Sequence, residues 1–545
     1  MYVEIEVNGL PIRARKGETA LSALRENGIV IPTLCHMNRF SPTGACRLCV
    51  VEVEGNKDLM TSCSLPVETG MKVFTNTPRV LSARKLIVEV LLANHPDDCL
   101  YCERNKNCEL QNLADELNIK ERVFFGDKRK QFPDRRSSSV MRDQAKCILC
   151  SRCVRVCEEV QYVNALDFIG KGKNTVVGPA FHKPLNGSTC INCGHCIITC
   201  PTGALGDISH IERVQAAIEN PRKEVVFVVS PSVVASLVQY FDLKESQASR
   251  GIVCSALKRL GANKVFDMSA AIYWNIVKET ESLQQNLSAK SSAPLFSSCC
   301  PSWVKFATDN LPHLASNISQ VKSPQQAMGR YLKTTYCLDR NFSEENLVVV
   351  AIMPCIASKY QATLKANTIN GFSEIDAVLT IREVTRFMRT SGIDVNSLPP
   401  SDFDEPFADT NSLGWKTGYS GGKAEAMAKV LFKKEKGSKE EFKFYIPKNQ
   451  SYCKETKLEL KNKAISFAWI SGIKNAKDFI DRMIEENRND LDFIEVMACP
   501  GGCAGGGGQQ VSRGNEKVVA RKKTCQAFEK IYESENEHDL RDWQI

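Results

Sequence analysis

Two segments carry the same cysteine spacing: CILCSRCVRVC, with Cys147, Cys150, Cys153 and Cys157, and CINCGHCIITCP, with Cys190, Cys193, Cys196 and Cys200. Both follow C-x2-C-x2-C-x3-C, the pattern by which thiolates hold 4Fe-4S cubanes, the first three cysteines on one cluster and the fourth on the other. Cys147, Cys150, Cys153 and Cys200 are therefore expected on one cubane, and Cys190, Cys193, Cys196 and Cys157 on its twin. Upstream, Cys35, Cys46, Cys49 and Cys63 stand as C-x10-C-x2-C-x13-C, and HPDDCLYCERNKNC offers His95, Cys99, Cys102 and Cys108. The latter group has no fourth cysteine nearby, so a cubane there needs His95. Fifteen cysteines and one histidine thus read as four clusters in a row along the chain. That is relay chemistry, in which electrons move and no bond is made.

A different use of cysteine begins at SSCCPSW, residues 297 to 303, where Cys299 and Cys300 are adjacent and so poorly placed to bind one metal centre together. Cys355 follows in MPCIASKYQ, and Cys499 and Cys503 in EVMACPGGCAGGGG. These are five cysteines, one more than a cubane requires.

The elements that must position these groups change in type along the chain. Up to about residue 210 the cysteine loops dominate, after a strand pair from Tyr2 to Arg13 and a helix from about Thr19 to Glu26. Beyond it, apolar runs alternate with helical patterns: EVVFVVSPS, KVFDMSA, PLFSSCCP, NLVVVAIMPC, DAVLT, FAWISG and DFIEVMACPGGC. Alternating strands and helices imply parallel α/β units, in which ligands bind outside the carboxyl ends of the strands. Three such ends bring Cys299 and Cys300, Cys355, and then Cys499 and Cys503 towards one place. The expected class is multidomain α+β, with boundaries at 1–80, 81–126, 127–209 and 210–545.

At 545 residues the chain is too long for one core. Its start, MYVEIEVNGL, alternates like a strand and has no signal-peptide character, and runs such as VVFVVSPSVVASLV are broken before they could span a membrane. A cytoplasmic protein without membrane contact is expected, and in a reducing compartment its 24 cysteines are metal ligands first. The formal charge of +8 would be offset by anionic clusters, so nucleic acid is not an expected partner. The basic stretch GDKRKQFPDRRSSSVMRDQAK, with Lys128, Arg129, Lys130, Arg135, Arg136, Arg142 and Lys146 against Asp127, Asp134 and Asp143, is either a solvated linker or a docking patch for an acidic electron carrier.

The Cys35 group resembles a plant-type ferredoxin (β-grasp) site for a 2Fe-2S cluster, with a longer first gap similar to that of respiratory NADH dehydrogenase and hydrogenases; zinc is the competing occupant. The His95 group is similar to the 4Fe-4S site of those two families held by one histidine and three cysteines, and the double motif resembles a two-cluster bacterial ferredoxin. The second half resembles the iron-iron hydrogenases, whose signatures TSCCP-x-W, MPC-x-x-K-x-x-E and E-x-M-x-C-x-x-G-C match the three segments above. The likeness covers nearly the whole chain and is closest to the monomeric, ferredoxin-linked clostridial type. It implies an H-cluster, a 4Fe-4S cubane joined through a cysteine sulfur to a two-iron centre with CO, cyanide and a dithiolate amine. Carried over, Cys300, Cys355, Cys499 and Cys503 bind the cubane, Cys503 is the bridge, and Cys299 is a free thiol that passes protons from an ordinary pKa of about 8.5. The resemblance also places Ser230, Pro231, Ser232, Gln325, Met353, Pro354 and Met497 around the two-iron centre. It gives the glycines Gly501, Gly502 and Gly505 to Gly508 the task of letting backbone approach a bulky cofactor. The activity implied is reversible 2H+ + 2e- to H2, with hydrogen, protons, ferredoxin or a similar carrier, and maturation proteins as partners. A flavin- and NAD-binding partner subunit is a further option, and a hydrogen sensor of low turnover is the alternative.

The chain departs from the family in several places. The lysine and glutamate after the second-signature cysteine are Ser358 and Gln361, so Lys359, one place later, must bend back to a cyanide or the contact is lost. Glu279 and Ser319 match the family's proton route, but the second carboxylate position is Ser282, with Glu281 on another helix face. Such changes around intact ligands predict a shifted bias between hydrogen uptake and evolution. Cys254, Cys337, Cys453 and Cys525 have no ligand spacing and read as buried apolar residues. The segment after Gly514 reads as a charged helix.

Overall fold

A computed structural model describes residues 1–545 except 39, 126, 127, 129–131, 290–292, 437–441, 446–451, 461, 462, 512–515 and 534–545. Asp127, Arg129 and Lys130 of the basic stretch, and Gly514, lie outside the described residues. The chain divides into two compact units, Met1–Glu159 with Asn164–Ser188 and Thr199–Gly206, and Val160–Val163 with Thr189–Ile198 and Asp207–Ile545.

In the first unit, Tyr2–Val7 and Leu10–Arg15 form an antiparallel hairpin around Asn8 and Gly9, both at positive φ, as a two-residue turn requires. Alternation buries Val3, Ile5 and Val7 on one face. Lys72–Phe74, Val50–Val53 and Met60–Thr61 complete a five-stranded sheet. The helix Ala20–Glu26 packs Leu21 and Leu24 into the same core, and its Thr19 cap accepts from Ser22 N at 3.2 Å. The helix Pro78–Asn94 starts on a Thr77 cap with proline at its first position and ends at His95.

In the second unit, four parallel strands run in the order Lys264–Asp267, Glu224–Val229, Leu347–Met353, Ala377–Thr380. Their residues are buried almost throughout, as continuous apolar runs covered on both faces should be. A second sheet orders Leu295–Phe296, Phe493–Met497, Ala464–Ser471 and Cys453–Glu459. Its first three strands are parallel, and the last is an antiparallel edge. That edge strand, CKETKLE, was not legible as an apolar run because most of its side chains reach solvent. Cys453 is accordingly half-buried, whereas Cys254, Cys337 and Cys525 are core residues. The helix Glu516–Ile531 buries Arg521, Thr524, Cys525 and Phe528, and the Phe528 ring stacks on Trp415 at 4.5 Å. No helix among the described residues is long and apolar enough to cross a membrane.

Candidate cluster sites and active site

Each cysteine group of the first unit is gathered by its own loop. Cys35, Cys49 and Cys63 are almost fully buried, Cys46 is half-buried, and the thiols pair: Cys46 hydrogen-bonds Cys35, and Cys63 hydrogen-bonds Cys49. Within each pair the hydrogen bond lowers one thiol and raises the other, so Cys35 and Cys49 fall and Cys46 and Cys63 rise. Leu34 N also donates to Cys46 Sγ at 3.4 Å. The buried Arg84 donates to the carbonyls of Leu48, Val50 and Thr75, fixing the loop around Cys49.

In the second group, Cys99 and Cys108 lie within electrostatic reach of Cys102, and burial raises both. His95 is buried at the helix terminus, and burial lowers its pKa, which favours the neutral ring that a metal ligand must present. In the third, Cys147, Cys150, Cys153 and Cys200 line one small cavity with Pro201 and Thr202. The fourth thiol of this cavity comes from the distant second motif, as the crossed spacing requires. Burial, then the Cys200 charge, pushes Cys150 up to about 12. These sites adjoin one another: a Cβ on Gly203 would lie 2.6 Å from Cys102 Sγ, and Arg155, beside Cys153, donates to the carbonyls of Cys35 and Ser41. The Cys35 loop and the Cys102 loop therefore both abut the third group, a branched arrangement that a reading along the chain does not show. Cys157, also in this unit, accepts from Ala165 N at 3.3 Å.

In the second unit the strand ends deliver Cys299, Cys300, Cys355, Cys499 and Cys503 to one place. Cys503 feels the charges of Cys299, Cys355, Cys300 and Cys499, and burial raises it far above the ordinary thiol range. Burial likewise pushes Cys299 and Cys300 up to about 11. For Cys299 this corrects the expectation of an ordinary thiol: Lys423 lowers it, and Glu279 and Glu495 raise it further. Backbone amides of Ala357 and Ser358 point at Cys355, and those of Ser302 and Trp303 at Cys300. Crowded thiolates in a dry site repel one another unless a cationic centre binds them, so the donor set fits an iron-sulfur cubane. Among the described residues no three His, Cys, Asp or Glu side chains are grouped for a single metal ion.

Ser230 Oγ and Ser232 Oγ are 3.0 Å apart at the start of the helix Pro231–Tyr240. Gln325 donates to Ser358 O at 3.2 Å and leaves its Oε1 buried without a partner, as a residue beside a polar cofactor would. Met353 and Met497 end two of the central strands. Pro354 O accepts from Gly508 N at 2.9 Å.

Three expectations are corrected. Lys359 does not bend back; fully buried, its Nζ pairs with Glu383 Oε1 at 2.8 Å and donates to Ile208 O at 2.8 Å, because Glu383 offers a carboxylate on the opposite side. Glu281 pairs with Lys278 at 3.0 Å near solvent, and Ser282 donates to Lys278 O, so neither faces Glu279. The hydroxyl on Glu279 is that of Ser298, at 3.1 Å, whereas Ser319 Oγ accepts from Val321 N. The glycine run also lets protein backbone close in on itself. Gly506 and Gly508 close on Pro354 O, Gly505 on Pro500 O, and Gly507 on Cys193 O, where no Cβ fits. Sequence reasoning missed Gln161, whose Nε2 donates to Ala498 O at 3.1 Å, and Lys423; neither carries a motif signal.

Comparison with known proteins agrees with this geometry. The profile "Iron only hydrogenase large subunit, C-terminal domain" matches residues 223–507. Upstream, a 2Fe-2S cluster binding domain matches 1–78, an NADH-ubiquinone oxidoreductase-G iron-sulfur binding region 84–122, and the ferredoxin-like domain of NADH-quinone oxidoreductase subunit 3 residues 137–206. The chain is 35% identical over 530 residues to the NADP-reducing hydrogenase subunit HndD of Solidesulfovibrio fructosivorans, covering 95% of this chain and 90% of that one. It is 33% identical over 509 residues to iron hydrogenase 1 of Clostridium pasteurianum, covering 93% and 88%. A solved structure of apo [FeFe]-hydrogenase HydA1 from Chlamydomonas reinhardtii shares the fold at a TM-score of 0.52 and 22% identity, over 60% of this chain and 95% of that one. With five cysteines gathered where its strands end and iron-sulfur domains ahead of them, the chain belongs to the iron-only hydrogenases.

Proposed function

We propose that this hydrogenase interconverts 2H+ + 2e- and H2 at an H-cluster held by Cys300, Cys355, Cys499 and Cys503, with electrons relayed by one 2Fe-2S and three 4Fe-4S clusters. The observation that carries this is the burial of a fifth thiol, Cys299, among those four, flanked by Glu279. When bound, the H-cluster supplies the open iron and the amine at which hydrogen is cleaved or formed. The residues of the chain hold it, exclude water and move protons. Cys299 is kept protonated by burial, so it can donate at neutral pH and be refilled from Glu279. Gln325 and Ser232 offer polar contacts to the two-iron side.

His95, Cys99, Cys102 and Cys108 hold one relay cubane, and Cys190, Cys193, Cys196 and Cys157 the cubane nearest the active site; Cys499 lies within electrostatic reach of Cys193. The layout follows as a 2Fe-2S domain (1–80), a histidine-ligated cluster domain (81–126), a two-cluster ferredoxin domain (127–209) and the catalytic domain (210–545). The electron partner is ferredoxin or a similar acidic carrier. A subunit that reduces NADP is the second reading, favoured by the name of the HndD relative. The diversion of Lys359 to Glu383 and the loss of a second carboxylate near Glu279 support a bias between uptake and evolution that differs from a standard producer.

Film voltammetry under hydrogen tests this, on protein produced anaerobically with the maturation machinery and checked for CO and cyanide infrared bands. Catalytic current in either direction is expected, with unequal limbs. A loaded centre without current would overturn the enzyme in favour of a sensor.

A further inference from the structure

Behind Cys299 lies a group of charged side chains that the ligand motifs do not explain. Glu279, Lys423 and Glu495 are each at most 1% exposed, and they come from three elements: the helices Ser269–Ser288 and Gly422–Lys436 and the strand Phe493–Met497. Lys423 Nζ lies 2.7 Å from Glu279 Oε2 and donates to Asn275 Oδ1 at 2.6 Å. The other oxygen of Glu279 accepts from Ser298 N and Ser298 Oγ, both at 3.1 Å, and Ser298 immediately precedes Cys299. Glu495 accepts from Gly421 N at 3.1 Å and Ala424 N at 2.9 Å, which fixes the start of the helix that presents Lys423.

A buried ion pair gives little net stability over a well-packed apolar pair, because desolvating both charges offsets their attraction. Breaking such a pair is costly, because it strands a buried charge. Lys423 is therefore poorly explained as a packing residue. What it does is hold one face of Glu279 while Ser298 holds the other. Ser282, where a second carboxylate would stand on the same helix, is turned to Lys278 O and cannot share that task.

We propose that Lys423 is a positioning residue of the proton route: paired with Glu279 Oε2 at 2.7 Å, it holds that carboxyl group between itself and the Cys299 loop, in place of the missing second carboxylate. In the uptake direction the proton leaving the Cys299 thiol arrives on the Glu279 carboxylate, which becomes a carboxylic acid, while Lys423 keeps its own protons. Evolution reverses the transfer. Glu495 is pushed up to about 7 by burial, against the lowering effect of the Ala424 and Gly421 amides and of Lys423, and is the second carboxyl group that feels the Lys423 charge. The proposal rests on Cys299 as the proton-passing thiol, but its test reads carboxyl protonation directly and so can fail independently of turnover.

The test is infrared difference spectroscopy over a pH series on the full-length enzyme, comparing wild type, Lys423→Met, the neutral polar Lys423→Gln, Lys423→Arg, and Lys423→Met combined with Glu279→Gln. Loss of the ammonium should strand the Glu279 charge, so Lys423→Met or Lys423→Gln gains a protonated-carboxyl band at neutral pH. The band should vanish in the double variant. Turnover should fall about tenfold or more and return largely with Lys423→Arg. An unchanged carboxyl spectrum in both neutral variants would overturn the proposal. So would a new band that survives Glu279→Gln and disappears with Glu495→Gln, since Lys423 would then govern Glu495 alone.

Discussion

Gly507 lies against the backbone of Cys193: a Cβ at residue 507 would fall 1.9 Å from the Cys193 carbonyl oxygen. Residues 506 and 508 are equally confined by Pro354 O, so the loop after Cys503 is gripped between the Cys193 and Cys355 loops.

Gly507→Ala should therefore be destabilising by about 1–3 kcal/mol, the range for overpacking where only backbone could yield. It should also slow electron exchange between the Cys193 cluster and the active site. Thermal unfolding and the electron paramagnetic coupling between reduced clusters check the two parts.

Cys200 shares a cavity with Cys147, Cys150 and Cys153. Cys200→Ala should cost the enzyme the cubane of the first motif while sparing the one on Cys190, Cys193 and Cys196, and Cys157→Ala should do the reverse. Iron content and the spectra of the reduced clusters distinguish crossed from uncrossed ligation.

Cys299 stands with Cys300, Cys355, Cys499 and Cys503 as a fifth thiol where a cubane takes four. Cys299→Ala should retain iron content and the CO and cyanide bands while turnover falls by about 10²–10⁴, the usual worth of a positioned acid-base group. Loss of the bands together with activity would make Cys299 a ligand.

Lys359 and Glu383 form a fully buried pair at 2.8 Å. Lys359→Met should destabilise by about 3–5 kcal/mol, because Glu383 is left charged and buried. The double variant with Glu383→Gln should be less destabilised than the sum of the singles. Cyanide bands should not move in any of them, whereas a lysine on the cofactor would shift them.

Glu495 titrates at about 7 in the folded protein instead of 4.5, through burial. Between those two values the folded state keeps a proton that the unfolded chain has released, so stability falls as pH rises from about 4.5 to about 7 and then levels, by roughly 3 kcal/mol in all. Glu495→Gln should remove this part of the pH dependence of the melting temperature.

The cysteine spacings by themselves pointed to iron-sulfur domains ahead of a five-cysteine centre, because three of the four thiolates of each C-x2-C-x2-C-x3-C motif sit close enough in the chain to reach one cluster. The parallel strands were legible for a similar reason, since a strand buried on both faces must be a continuous apolar run. The polar edge strand Cys453–Glu459 was not, because one that faces solvent has no such constraint. Tertiary structure alone decided what surrounds Cys299. Lys359 was expected at the cofactor and is held by Glu383, a partner 24 residues away, while Lys423, 144 residues beyond Glu279, is the cation that reaches it. Within the run of glycines read as room for a cofactor, Gly507 also meets the Cys193 loop. Which charge meets which in a dry interior depends on elements far apart in the chain, and local spacing carries no record of it.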